Sequence, residues 1–401
     1  MGVASRYRGR LYLIEAVRTF AQGFFAISFV VAARSAGLSA LLVGVLTTIS
    51  VLIGIVTTRY MEGAVSRHGP RVAFVGVGAL MVATGSVMLL LPGEAGIALA
   101  ALFGFLPPLG GQFVAAVIEG SLAQTPAAAR TKVFARFGLL ATVAGASGSL
   151  FASVPALFGI GDAGAVSILT LLLIPLGVVT AATGALVPRV NPLFGAGPKA
   201  EIPTVSGDVD GSQKLINRLA LLFTADASGS GVVTPTLILY WLHVHFHLSL
   251  PDLSLLYFGM DVLSALSFPL AERISRKIGL LNTAVFTHIP SSLLLVAVPF
   301  APGAAVAATL LLARALLVEM DVPTRQSYIA SIVPSSMRAQ AASRTSMGRQ
   351  AGRAIGPAIG GALLSSVGAV APFLTGGVLK ISYDLVLWRS FRQVEAAAVL
   401  E

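Results

Sequence analysis

The sequence predicts an all-α polytopic membrane protein of twelve spanning helices arranged as two six-helix bundles, and three observations predict it. Hydrophobic residues make up 56% of the 401 positions and charged residues only 11%, where a soluble domain carries about 25% charged residues. The apolar residues run in stretches of the length needed to cross about 30 Å of hydrocarbon, about 20 residues each. The charges that remain fall mostly between those stretches and are mostly basic, giving a formal net charge of +10. A soluble core of this size could not hide so much apolar surface, because over half of a domain's surface still faces water.

In order, the expected spans are 11–33, 40–61, 71–91, 95–118, 133–157, 165–187, 215–242, 251–271, 279–300, 303–322, 344–368 and 370–390. The basic start of the chain, MGVASRYRGR, precedes a span too long for a signal peptide and without a small-residue cleavage site, so span 1 is expected to persist. Basic residues fix the orientation. The N-terminus, alternate loops, the central segment and the C-terminus, with the span ends that flank them, hold 21 of the 27 Lys and Arg, whereas the opposite loops hold Arg34 alone. By the positive-inside rule both termini are cytoplasmic in an inner, cytoplasmic membrane. This bias also explains the high positive charge without recourse to nucleic acid.

The polar, Gly/Pro-rich segment 188–213 divides the spans six and six, giving an N-terminal bundle at 1–187, a cytoplasmic linker and a C-terminal bundle at 214–401. The halves repeat one another. Pro126-Ala-Ala-Ala-Arg130 follows span 4 and Pro334-Ser-Ser-Met-Arg338 follows span 10. Arg136 and Arg344 each come six residues after those arginines, and all these pairs are 208 residues apart. Arg67-His-Gly69 between spans 2 and 3 lies 210 residues before Lys277-Ile-Gly279 between spans 8 and 9. Such offsets fit a duplication of parallel halves.

At these loops the chain resembles the major facilitator superfamily, over all twelve spans. Ala64-Val-Ser66-Arg67-His68-Gly69-Pro70-Arg71 keeps Arg67, Gly69 and the final basic position of that family's loop between spans 2 and 3, with Ser66 where the family has Asp. Leu270-Ala-Glu-Arg273-Ile-Ser-Arg276-Lys277-Ile-Gly279 is the looser counterpart. The stretch Asp321-Val-Pro-Thr-Arg325-Gln-Ser-Tyr328 through Gly360-Gly361 is reminiscent of bacterial and archaeal members. The resemblance implies secondary transport by alternating access, with Arg67, Gly69, Arg71, Lys277 and Gly279 in gating loops. It further implies that spans 1, 4, 7 and 10 line a central cavity, so that Arg18 and Asp226, 208 residues apart, would face each other across the substrate path.

Ionisable groups inside spans cost about 2.5–3.5 kcal/mol or more near mid-membrane, which makes each a functional candidate. Arg18, Asp226, Arg314 and Arg353 are candidates for substrate binding, and Asp226 and Asp261 for proton coupling. Glu119 and Asp321, with Glu319, fall near the cytoplasmic ends of spans 4 and 10, as gate carboxylates. Two local pairs could neutralise themselves: Glu15 with Arg18 at i,i+3, and Lys380 with Asp384 at i,i+4. Three mid-membrane arginines (Arg18, Arg314, Arg353) against two aspartates leave one guanidinium over, which favours an anionic or zwitterionic small-molecule substrate unless Glu15 neutralises Arg18.

The rival expectations are efflux of a drug-like compound, uniport, or metal export through His243, His245 and His247 at the end of span 7. A ligand sensor that moves nothing is a further class, although no large appended soluble domain is there to pass on a signal. Gly352-x-x-x-Gly356-Pro357 in span 11 suits close helix packing and a bend, and span 5 lacks the Gly-Pro pair of exchangers. With no cysteine, no phosphate-binding loop, no zinc motif and no catalytic triad, neither catalysis, ATP-driven pumping, a resident metal nor a cofactor is expected. The expected partners are substrate, protons and membrane lipid, with the protein a monomer.

Overall fold

A computed structural model describes residues 3–107, 110–122, 127–189, 212–322, 324–325, 328, 333 and 337–398. The described residues form helices and their connections, without a strand. The chain divides into two compact units: 1–199 with 238–258, and 200–237 with 259–401. The expected linker falls, at 190–211, outside the described residues.

The first unit contains α1 (Val3–Ser35), α2 (Ala40–His68), α3 (Arg71–Leu90), α4 (Glu94–Ala101), α5 (Gln112–Leu122), α6 (Ala127–Phe151), α7 (Val154–Leu157) and α8 (Asp162–Ala185). Within it α1 packs on α6 and α8, and α3 on α8. Glycine sets these distances. A Cβ on Gly23 of α1 would lie 2.1 Å from the Gly145 carbonyl oxygen, and one on Gly148 of α6 would lie 2.0 Å from that of Phe20. Backbone thus rides on backbone, the close approach that small residues permit between membrane helices.

α9 (Ser212–Val232) belongs to the second unit, and α10 (Pro235–Phe246) and α11 (Leu250–Ile278) each have residues in both. The second unit continues with α12 (Leu280–Ala297), α13 (Ala304–Val318), α14 (Arg338–Ala354), α15 (Gly356–Ser366) and α16 (Val370–Ala398). Here α9 packs on α14 and α16, and α12 on α16. The glycine contact recurs: a Cβ on Gly356 would sit 2.4 Å from the Cα of Gly231. Gly231 follows Gly23 by 208 residues and Gly356 follows Gly148 by 208, so the repeat seen in the loops extends into the packed helices.

Among the described residues, eight helices are long and apolar enough to cross a membrane. The other four expected spans are shorter or broken. Span 4 is α4 and α5 with 102–111 between them, span 7 is α9 and α10, span 10 begins as α13, and span 11 is α14 and α15. Proline and glycine account for the breaks, since proline cannot donate into the helix ladder and glycine accepts a left-handed backbone. Span 4 carries Pro107 with Gly104 and Gly111 at φ 65° and 70°, the second helix of span 7 starts at Pro235, and Pro357 opens that of span 11.

Freed backbone groups inside a membrane must find partners. In span 4 they find side chains of α1 and α2. Arg18 Nη1 donates to the Gly110 carbonyl at 3.2 Å, Gln22 Nε2 to the Phe105 carbonyl at 3.2 Å, and the Leu106 N–H to Ser50 Oγ at 3.1 Å. The two repeated loops also match in shape. Gly69 ends α2 at φ 82° and Gly279 ends α11 at φ 86°, their N–H groups donating to the Val65 and Ser275 carbonyls. A side chain at Gly69 would collide with the backbone of Arg189.

Candidate functional site

The charged groups of the second unit converge on Asp226. Four stretches of chain meet there: α9 brings Asp226, α12 brings His288, the segment after α13 brings Asp321 and Arg325, and α16 brings Lys380, Tyr383 and Asp384. Asp226, His288, Asp321, Arg325, Lys380 and Asp384 are all buried.

Lys380 Nζ donates to Asp226 Oδ1 at 3.1 Å and lies 3.4 Å from His288 Nε2. The opposite ring nitrogen, His288 Nδ1, donates to both oxygens of Asp384 at 3.0 and 2.9 Å. His288 Nε2 is 3.9 Å from Asp226 Oδ1, and Arg325 Nη1 is 3.9 Å from Asp226 Oδ2. Arg325 also pairs with Asp321 and stacks its guanidinium over Phe223, 5.2 Å from the ring centroid. Tyr383 meets the His288 ring edge-on at 6.4 Å. A network of this kind can move a proton between neighbouring acceptors, or trade one ion-pair partner for another, without exposing a bare charge.

The expected i,i+4 pairing of Lys380 with Asp384 is corrected here. The two side chains go separate ways, Lys380 to Asp226 and Asp384 to His288. Arg325, read as a cytoplasmic loop residue, is buried in the same network. His288 and Tyr383 carried no expectation. A histidine nine residues into an apolar span was the available signal, and a survey of aspartates and arginines alone passes over it.

The other candidates stand elsewhere. Arg18, in the first unit, is buried with Glu15, donating at 2.6 and 3.1 Å to its two carboxylate oxygens, so the alternative in which Glu15 neutralises it holds. Arg314 on α13 and Arg353 on α14 are partly buried, and among the described residues neither forms an ion pair. Among the described residues, Arg314 Nε is buried without a hydrogen-bond partner. Glu319 lies within Coulombic reach of both arginines and of Lys380. Asp261 on α11 is partly buried. Glu119, Arg67 and Lys277 are exposed, while Arg71 and Gly279 are partly buried.

The three histidines at the end of span 7 do not converge. His243 bonds through Nδ1 to the Leu248 carbonyl at 2.7 Å, His245 stacks on Trp241 at 4.9 Å, and His247 takes φ 54°. Among the described residues no group of three or more metal-ligating side chains forms.

Residues 219–399, which include the whole Asp226 network, match the family model of the Major Facilitator Superfamily. The matched stretch is a little under half of the chain. Its fold is shared with solved transporters. A D-xylose–proton symporter superposes with a TM-score of 0.71 at 14% identity, covering 97% of this chain and 98% of the other. The nucleoside transporter NupG gives 0.67 at 10% identity, covering 96% and 98%. A bacterial homologue of the human lysosomal transporter Spinster, inward-facing and unoccupied, gives 0.69 at 14% identity, covering 100% and 95%. An uncharacterised membrane protein of Saccharomyces cerevisiae is 25% identical over 183 residues, 45% of this chain and 41% of the relative's length. With eight described helices long and apolar enough to cross a membrane and this shared fold, the chain is a multi-pass membrane protein.

Proposed function

We propose that this protein is a major facilitator that couples the movement of a small molecule bearing an anionic group to protons across the cytoplasmic membrane, as a monomer working by alternating access. Its two bundles are 1–187 and 214–401, and its termini face the cytoplasm. One observation carries the reading: a buried carboxylate, Asp226, is held by an ammonium at 3.1 Å with a titratable imidazole 3.9 Å away. Rearranging such a group between a cationic partner and none changes its proton affinity, which is what coupling requires. The pairing of solute with proton in the name of one structural neighbour supports the same reading. Arg314 and Arg353 supply the substrate's counter-charge: among the described residues neither forms an ion pair, and Arg314 has a buried N–H without a partner, which in a membrane is too costly to leave idle. Arg18 spends its donors on Glu15 and Gly110 and is the weaker claimant.

Reconstitution in liposomes tests this. A panel of carboxylates, phosphates, nucleosides and sugars is offered under an imposed pH gradient, with an internal pH dye reporting proton flux. An anionic solute is expected to move protons with it. Asp226→Asn is expected to abolish uphill accumulation while sparing exchange at equal pH. Accumulation unchanged in both Asp226→Asn and Asp261→Asn overturns proton coupling through these carboxylates. Equal uptake by Arg314→Gln and Arg353→Gln variants overturns the anion site.

A further inference from the structure

The bonding around His288 is specific enough to assign its state. Asp384 presents two carboxylate oxygens to Nδ1, so that nitrogen carries a hydrogen. Nε2 faces the Lys380 ammonium at 3.4 Å, and an ammonium has only donors to offer, so Nε2 is the bare acceptor. This bonding fits the neutral Nδ1–H tautomer. Lys380 bridges its lone pair and Asp226.

Charge counting shows what is missing. Among the described residues, the ionisable groups of the network around the imidazole are Asp226 on α9, Asp321 and Arg325 after α13, and Lys380, Tyr383 and Asp384 on α16. Three carboxylates face two permanent cations across a neutral phenol. The network is short of one positive charge, and a single proton on the ring supplies it.

That proton has one vacant seat, Nε2, and taking it has a consequence. An imidazolium N–H at 3.4 Å from an ammonium puts like charges donor to donor, while Asp226 Oδ1 lies 3.9 Å from the same nitrogen. A small rotation brings the new N–H onto that oxygen, and Lys380 loses its place. We infer that His288 is the group that carries the coupled proton, and that loading it transfers Asp226 from Lys380 to the imidazolium and frees the ammonium for the anionic group of the substrate. This deepens the coupling proposed above and rests on it. The proton comes from water on the open side and adds to the Nε2 lone pair, while Nδ1–H stays on Asp384. On the other side Nε2–H returns its proton to water, and Lys380 swings back to Asp226 as the substrate leaves. Proton and anion therefore travel together.

Nuclear magnetic resonance on the whole purified protein, with isotope in the five histidines only, tests this without any substrate. His288→Gln identifies the signal. The parent is expected to show the Nδ1–H tautomer in alkali and to become imidazolium on acidification. At a fixed value of about pH 6, the imidazolium fraction is expected to rise severalfold in Lys380→Met, where the competing ammonium is gone, and to fall in Asp226→Asn, where the receiving carboxylate is gone. Lys380→Gln serves if the methionine variant does not fold. A parent ring in the Nε2–H form overturns the proposal by itself, as does an imidazolium fraction equal in parent, Lys380 and Asp226 variants. These spectra involve no flux, so they can fail while pH-driven transport succeeds, and the flux assay can fail while they hold.

Discussion

The contact between α3 and α8 and that between α12 and α16 are the same step of the repeat, spans 3 and 6 in one half and spans 9 and 12 in the other, built in opposite chemistries. In the first, ionisable residues occur only at the helix ends, at Arg71 and Asp162. Glycine brings the backbones together: a Cβ on Gly78 would stand 2.5 Å from the Gly177 carbonyl oxygen. In the second, His288 bonds Asp384 across the helix pair, and Lys380 beside it reaches Asp226. The fold therefore does not need charge at this contact. A buried ion pair is in any case weak evidence for stability, since apolar residues of similar volume usually do as well.

A second contrast explains why they form a network. Arg18 of α1 finds its carboxylate one turn away, at Glu15. At the equivalent place in α9, 208 residues on, Asp226 has Phe223 where Arg18 has Glu15. Denied a local partner, Asp226 must be satisfied from other helices, and a charge held by other helices responds when those helices move. Arg18 keeps its counter-charge on its own helix, so its ion pair is insulated from such motion even though Nη1 also reaches the Gly110 carbonyl of span 4.

What the halves share should break hardest. Gly148→Leu and Gly356→Leu each drive a side chain into backbone, at 2.0 Å from the Phe20 carbonyl oxygen and 2.3 Å from the Gly231 carbonyl carbon. Each is expected to cost more than about 4 kcal/mol and to remove the monodisperse peak in detergent gel filtration. A well-folded leucine variant at either site would mean that the repeated glycine contact is not structural.

The next effect separates the halves. Asp226→Leu strands Lys380 in the second unit and is expected to cost about 3–5 kcal/mol in thermal or denaturant unfolding. Asp226→Leu with Lys380→Leu should recover most of that loss yet leave pH-driven uptake abolished. Recovery of both would show the network to be packing alone. Failure to recover stability would show that the contrast with α3 and α8 is misleading.

Much of this was legible in the sequence, and the rest was not for physical reasons. Apolar runs declare spans because the bilayer imposes their length, and the 208-residue offset survives in Gly148 and Gly356 because a Cβ at either would drive into the backbone of a neighbouring helix. Span 4 was expected as one helix over 95–118, and Pro107 with the neighbouring glycines was the unheeded signal of its break. The pair Glu15–Arg18 could be read because it lies on one helix. The partner of Lys380 could not, since i,i+4 spacing offers Asp384 equally well, and only the packing of α9 and α12 on α16 decides for Asp226.

Smaller effects sharpen the insulated side of the comparison. Arg18→Met leaves the buried Glu15 carboxylate and the Gly110 carbonyl without donors, at about 1.5–3 kcal/mol. Adding Glu15→Leu should restore part of it. If Arg18 is insulated as its pairing indicates, the double variant keeps solute exchange at equal pH, and loss of exchange in a stable double variant would return Arg18 to the substrate path.

The smallest expected effect belongs to Ser50→Ala. Its hydroxyl oxygen accepts the Leu106 N–H at 3.1 Å, one of the three side-chain contacts that satisfy the opened backbone of span 4. Ser50 and Leu106 are both buried, so water cannot replace the lost acceptor. Deleting one neutral hydrogen bond of this kind costs about 1 kcal/mol, with the stranded N–H adding to it. The expected signature is therefore local: a small fall in the unfolding midpoint, with faster amide exchange confined to residues near Leu106 and none around Asp226. The two units respond separately only if the polar contacts of span 4 serve its own backbone. Exchange that quickens equally at α9 and α12 would show that the opened stretch of span 4 and the charged network of the second unit form a single cooperative system.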